Sequence, residues 1–217
     1  MEQLLSLKNR PWFTYGIQRG GAEVTPEPAG NNSVQVIAGR SLSVGWSGEP
    51  AGWVDLDAVK ERPYGKLSLW ADNKHETFLA IAKFTKLPIA AVIQSRSNDD
   101  KLAGLDTVIV ALPKPGGLPG EVVAAYLNSK LVQFYWAVRL RSGVIQGFYA
   151  TNYPRILEAL PWVKNLDSEI EQRLTESYNE LARLAAIYKN NPEEWLICEL
   201  ESRIEQRRYK LSDRHLG

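Results

Sequence analysis

Ala124-Ala125-Tyr126-Leu127-Asn128-Ser129-Lys130-Leu131-Val132-Gln133-Phe134-Tyr135-Trp136 is the stretch on which the fold turns. Its apolar residues run almost all the way round a helix, the mark of a helix buried on most of its sides. Asn128-Ser129-Lys130 break that surface with polar groups, which are expected to anchor the helix against neighbouring backbone rather than to read bases. Upstream, the string from Pro113 to Gly120 is a firm break, so the helix is expected to run from about Pro119 to Arg139. Downstream, Tyr153-Pro154-Arg155-Ile156-Leu157-Glu158-Ala159-Leu160-Pro161-Trp162 reads as a short segment closing on a sheet.

Before the helix, the pattern alternates between helix and strand. Ser33-Val34-Gln35-Val36-Ile37 and Leu42-Ser43-Val44-Gly45-Trp46 read as strands, with Gly39-Arg40-Ser41 turning between them. Val24 to Asn32, with two prolines and an Asn-Asn pair, reads as an exposed loop. Ile89 to Ile93 and Thr107 to Leu112 are β-branched runs of strand length, joined through the polar stretch Gln94 to Leu105. Thr77 to Phe84 is a strand or a short helix, because periodicity does not separate the two. Trp12, Phe13, Tyr15, Trp46 and Trp53 fall in a loop-rich region, and burial is favoured over base stacking for them.

Past Pro161 the period becomes helical. Leu166, Ile170, Leu174, Ser177 or Tyr178, Leu181, Ala185 and Tyr188 make one apolar stripe. Asn190-Asn191-Pro192-Glu193-Glu194 supplies a turn, an N-cap, a proline at the first helical position and acids in the first turn. A second helix follows, with Ile197, Leu200, Ile204, Arg207 and Leu211 on one side. The expected fold is therefore α/β (α+β), a mixed twisted sheet with packed helices, followed by a C-terminal antiparallel helical hairpin. Residues 1–165 form one expected domain and 166–217 the hairpin.

Composition narrows the function. The 217 residues are 44% hydrophobic and 24% charged, which suits a globular chain with a real core. No apolar run is long enough for a membrane span and the N-terminus lacks the plan of a secretory signal, so a cytoplasmic protein is expected. Cys198 is the single cysteine and forbids an internal disulfide. The net charge of +1 conceals an asymmetry. Residues 1–165 hold 18 Lys+Arg against 14 Asp+Glu, and 166–217 hold 8 against 11. A surface for phosphates belongs on the first, basic part.

Reactive constellations are missing. Asn190-Asn191-Pro192-Glu193 has one proline and no aromatic, so it is a helix cap rather than a base-holding tetrapeptide. No glycine triplet follows a strand, and Gly116-Gly117 is hemmed in by Pro115 and Pro119. Asp55-Leu56-Asp57 and Asp99-Asp100 read as solvated loop acids, not metal-holding carboxylates. His75 and His215 lie far apart, which leaves no histidine metal site or triad.

The Leu127-Asn128-Ser129-Lys130-Leu131 helix, followed by the Pro154-to-Pro161 exit, resembles the target-recognition domains of bacterial DNA adenine methyltransferases and restriction-modification enzymes. It is most similar to the C-terminal specificity domain of the TaqI-like class, over roughly residues 12–165. Val36-Ile37-Ala38-Gly39-Arg40-Ser41-Leu42 resembles that family's Gly-Arg-Asp-Ile segment, with Ser41 where an acid is common. Leu69-Trp70 through Ala90-Ala91-Val92, and Leu105 through Val110, resemble its next two pieces in order.

The resemblance implies a DNA reader that performs no chemistry itself. Catalysis, and S-adenosylmethionine, would belong to a methyltransferase module in the same polypeptide or in a partner chain; no cofactor is expected here. Family scaffolds are shared while DNA-facing loops differ, so contact residues are chosen by chemistry. Arginine bridges guanine, and lysine or arginine holds phosphate. Arg19, Arg40, Lys66, Lys74, Arg96, Lys101, Arg139 and Arg141 are the candidates for double-stranded DNA. The alternative is a protein-interaction module that pairs or dimerises through the helical hairpin.

Overall fold

The described residues of the computed structural model are 10–67, 77–83, 88–94, 102–136, 154–162 and 166–190. In chain order their strands are β1 (Trp12–Tyr15), β2 (Ser33–Ile37), β3 (Leu42–Ser43), β4 (Trp46–Ser47), β5 (Gly52–Asp55), β6 (Thr77–Ala82), β7 (Ala90–Gln94), β8 (Leu102–Gly104) and β9 (Val108–Leu112). The helices are α1 (Leu56–Lys60), α2 (Gly120–Asn128), α3 (Lys130–Tyr135), α4 (Pro154–Glu158) and α5 (Ser168–Asn190). Mixed α/β architecture is thus present, whereas the second helix of the expected hairpin lies outside the described residues.

The expected single mixed sheet is divided. An antiparallel sheet has the order β1-β9-β6-β7, and a second has the order β5-β2-β8 with β2 and β8 parallel. The turn between β8 and β9 carries the chain from one sheet to the other. β3 and β4 form a separate pair after a 3-10 turn at Gly39–Ser41, the turn expected there.

β6 is a strand, and its ambiguity in the sequence has a simple cause. Phe78, Ala80 and Ala82 pack towards the second sheet, while Leu79 and Ile81 pack towards the helices. A strand buried on both faces loses the alternation of apolar and polar residues. The four-stranded sheet is therefore the middle layer between the β5-β2-β8 sheet and a helical layer.

The long helix expected from Pro119 to Arg139 is broken at Ser129. That residue is extended, with φ −68° and ψ 151°, and its hydroxyl accepts from the Val132 N–H at 3.2 Å to cap α3. The break turns Asn128 onto β7. Its side chain donates to the Ala90 carbonyl at 2.8 Å and accepts from the Ala90 N–H at 3.0 Å, imitating one more strand. The anchoring expected of this polar triplet is present, although Lys130 itself is exposed.

The exit segment closes on the sheet as expected. α4 packs beside β1, and the buried Trp162 donates its indole N–H to the Leu157 carbonyl at 3.0 Å. The Trp162 ring lies 5.1 Å from that of Tyr126 and 5.8 Å from that of Phe13. The Tyr126 hydroxyl donates to the Pro161 carbonyl at 2.7 Å. Burial pushes the Tyr126 phenol up to about 12, with a smaller push from Tyr135.

α5 lies against α2. Leu174, Tyr178 and Ala182 are the residues that join the helical core, an i, i+4 row. Of the expected stripe, Ile170 and Leu181 are exposed at 49% and 39%, and Tyr178, not Ser177, supplies the middle contact. Its buried hydroxyl accepts the Val92 N–H at 2.7 Å. Burial drives the Tyr178 phenol up to about 12, partly offset by that hydrogen bond and reinforced by the nearby Glu121. Asp55-Leu56-Asp57 is not a solvated loop. Asp55 is the N-cap of α1, accepting from the Asp57 N–H at 3.0 Å, and Leu56 is buried.

Candidate nucleic-acid interface

Three of the eight cations chosen from the sequence lie among the described residues, in three separate segments. Arg19 meets the turn between β8 and β9 at Asp106, the residue before Arg40 bonds to Thr107 in that turn, and Lys66 pairs with Gln18 next to Arg19 in sequence. The turn closes through the Val108 N–H and the Leu105 carbonyl at 2.9 Å. The chain leaving β1 runs directly against it: the Gly16 N–H donates to Val108 O at 3.2 Å and the Ile17 N–H to Gly104 O at 2.7 Å. Gly16 is required for that approach, since an added Cβ would lie 2.1 Å from the Leu105 carbonyl oxygen.

Beyond Ile17, Gln18 exchanges two backbone hydrogen bonds with Lys66, at 2.9 and 2.8 Å. This pairing sets Lys66, which is exposed, beside the backbone of Gln18, the residue before Arg19. Arg19 Nε is 3.6 Å from Asp106 Oδ2, and both side chains are about one-third exposed, at 34% and 35%. The residue before Arg40 bonds to the same turn just after β2. The Gly39 N–H donates to Thr107 Oγ1 at 2.9 Å, and Arg40 itself is exposed on the 3-10 turn.

A further cation contacts this turn and escaped the sequence reading. Lys83 Nζ donates to the Asp106 carbonyl at 2.8 Å, and its backbone N–H donates to Thr107 O at 3.0 Å. Its ammonium also stands 5.0 Å from the Tyr15 ring centroid, a cation–π distance. The signal for it was its position one residue past the apolar run of β6, where a strand ends and a loop cation begins. Asp106 was likewise missed; an isolated loop aspartate has no feature that announces its partner.

Among the described residues the cations shown in contact with the turn are Arg19 and Lys83, and Asp106 is the carboxylate there. Arg19 Nη1 donates to the Ala22 carbonyl at 3.5 Å, while Arg19 Nε and Asp106 Oδ1 have no hydrogen-bond partner among the described residues. The ion pair thus restrains the guanidinium without using up its five donors, and the rest of the fork remains for an acceptor. Lys74, Arg96, Lys101, Arg139 and Arg141 lie outside the described residues.

Along β1, the aromatic residues divide. Phe13 and Tyr15 are half-buried against the helical core and Trp53 is half-buried, but Trp12 is 57% exposed. The expectation of burial therefore fails for Trp12, because an edge strand turns alternate side chains away from the layer that covers the others. Lys114 Nζ stands 6.0 Å from the Trp12 ring. Burial holds the Lys114 ammonium below its usual range, Arg10 adds to that, and Glu158 works against it. An open groove of about 650 Å³ runs between β1 and α4, lined by Phe13, Thr14, Tyr15, Pro154, Arg155 and Ile156.

Among the described residues no group of three or more His, Cys, Asp or Glu could hold a metal ion. No helix among them is long and apolar enough to cross a membrane. His75, His215 and Cys198 lie outside the described residues. No protein-family model matches the chain, and no curated protein matches it by sequence either.

Proposed function

We propose that this chain reads double-stranded DNA as the target-recognition part of a DNA adenine methyltransferase or restriction-modification system. A separate catalytic module would bring S-adenosylmethionine and the chemistry; this chain would position that module. The observation that carries the reading is that Arg19 and Lys83 contact one β-turn at Asp106, while Arg40 and Lys66 stand exposed on segments whose backbones are bonded to that turn or to the strand beside it. In this reading Arg40 and Lys66, both exposed, hold phosphates. Arg19, restrained by Asp106, presents its planar fork to a guanine edge. The resemblance of the Asn128 helix and the Trp162 exit to specificity domains supports the same conclusion.

The test is a fluorescence-anisotropy titration of the full chain with a randomised duplex over a range of salt. Binding should weaken as salt rises, by about 0.9 log units per log unit of salt for each phosphate held. Replacing Arg40 and Lys66 by glutamate should remove roughly two such contacts from the slope. An unchanged slope, or no binding at low salt, would count against a DNA reader.

A second reading, association through the C-terminal helices, is favoured by the exposed Ile170 and Leu181 of α5. Light scattering separates the two. Under the second reading the chain is a dimer that Ile170→Glu and Leu181→Glu convert to a monomer.

A further inference from the structure

The two edges of the four-stranded sheet are finished in different ways, and the hydrogen-bond parity shows how. The Ala82 N–H donates to Ile89 O, so Ala91 and Ile93 of β7 face β6, while Ala90 and Val92 point outward. Three of those four outward groups are covered: Asn128 takes both polar groups of Ala90, and Tyr178 takes the Val92 N–H. Side chains have closed this edge against further strands.

At the opposite edge the same parity runs through β9. The Lys83 N–H donates to Thr107 O, so Ile109 and Ala111 face β6, and Val108, Val110 and Leu112 face β1. Through the Gly16–Val108 bond, Thr14 and Trp12 turn towards β9. Phe13 and Tyr15 therefore direct their N–H and C=O groups outward. Among the described residues the N–H groups of both and the Phe13 carbonyl have no partner; Tyr15 O has the Thr14 hydroxyl at 3.5 Å. Phe13 and Tyr15 are also two walls of the groove whose far side is α4.

We propose that β1 binds an extended, acidic polypeptide strand of a partner protein by adding it to the open edge of the sheet. Alternate backbone groups two residues apart, about 6.6 Å in a strand, suit a polypeptide, which supplies its own N–H and C=O in that register. The aromatic rings and Ile156 receive alternate apolar side chains. Arg155 in the groove, Lys83 beside Tyr15 and Lys114 beside Trp12, with Arg10 near Lys114, outnumber the carboxylates Glu158 and Asp106, and the resulting positive field selects acids between them. A DNA strand has no backbone donors to meet the outward carbonyls, and the 2′-hydroxyls of RNA do not recur at the spacing of alternate strand residues. A second copy of this chain would set the same cations against each other.

The proposal shares Lys83 with the DNA reading but does not rest on it, and its assay contains no DNA until the last step. The probe is a labelled, terminally blocked octapeptide of alternating glutamate and valine, titrated against the full chain. Two further peptides carry N-methyl groups on every valine nitrogen or on every glutamate nitrogen. Alternate N–H groups of a strand share one edge, so one methylated form should lose about tenfold or more in affinity while the other stays within about twofold. Tyr15→Pro, which deletes an outward N–H and leaves the β9 ladder intact, should weaken the unmodified peptide, and Arg155→Glu should shift preference to a lysine–valine peptide. Absence of binding by the unmodified peptide, or equal effects of the two methylation patterns, would overturn the proposal. So would full displacement of the peptide by a short single-stranded oligonucleotide, or a dimer that Tyr15→Pro dissolves.

Discussion

Asn128 does the work of a missing strand with one side chain. Its amide satisfies both outward polar groups of Ala90, so Asn128→Ala leaves a donor and an acceptor without partners at the edge of a packed helix. A loss of about 2 kcal/mol in chemical denaturation is expected. Tyr178→Phe strips the partner from the Val92 N–H and should cost about 1 kcal/mol in the same measurement. The two buried phenols also set an alkaline limit. Tyr126 and Tyr178 are raised from 10.0 to about 12 on folding. The neutral form is the one the fold prefers, so their contribution is complete below pH 10 and is lost as the pH climbs through 12. Tyrosinate absorbance titrated with the folded chain should show two late groups, and unfolding midpoints should fall over that same window. The anchoring role of Asn128 was legible because a polar residue interrupts an apolar surface. The Arg19–Asp106 pair was not, because 87 residues separate two ordinary loop charges.

At the scale of elements, the α2–α3 break and the crossing at Gly16 each rest on one residue. Ser129→Ala removes the α3 cap and should cost about 1 kcal/mol, read as a lower denaturation midpoint. Gly16→Ala drives a methyl group into the Leu105 carbonyl, and a loss of about 3 kcal/mol or more is expected from thermal unfolding. β2, β7 and β9 were readable from β-branched runs of strand length. The helix break was hidden because the apolar pattern continues through Ser129 and the capping serine looks like one more polar interruption. α1 was hidden for a related reason: Asp55 and Asp57 resemble surface acids until Leu56 between them is known to be buried.

For the whole molecule, the helical layer includes α5, whose Tyr178 belongs to the same apolar cluster as Val123, Leu127 and Trp162. Truncation after residue 162 should therefore expose that cluster and bind a hydrophobic dye, whereas the full chain should not. Fold class was legible from the period of each segment. The division into two sheets was not, because it depends on a two-residue turn that passes between layers. Of the proposed site, residue chemistry singled out Arg19, Arg40 and Lys66 as candidates, but only the chain path shows that Arg19 meets Asp106 and that Lys83 joins it at the same turn. The first strand is paired with the last. Trp12 meets Leu112, so β1 waits for 100 further residues before it has a neighbour. At a synthesis rate of about 5–20 residues per second, that delay lasts on the order of 5–20 s. During it an aromatic segment stays unsheltered on the nascent chain, the interval in which chaperones and aggregation compete for it.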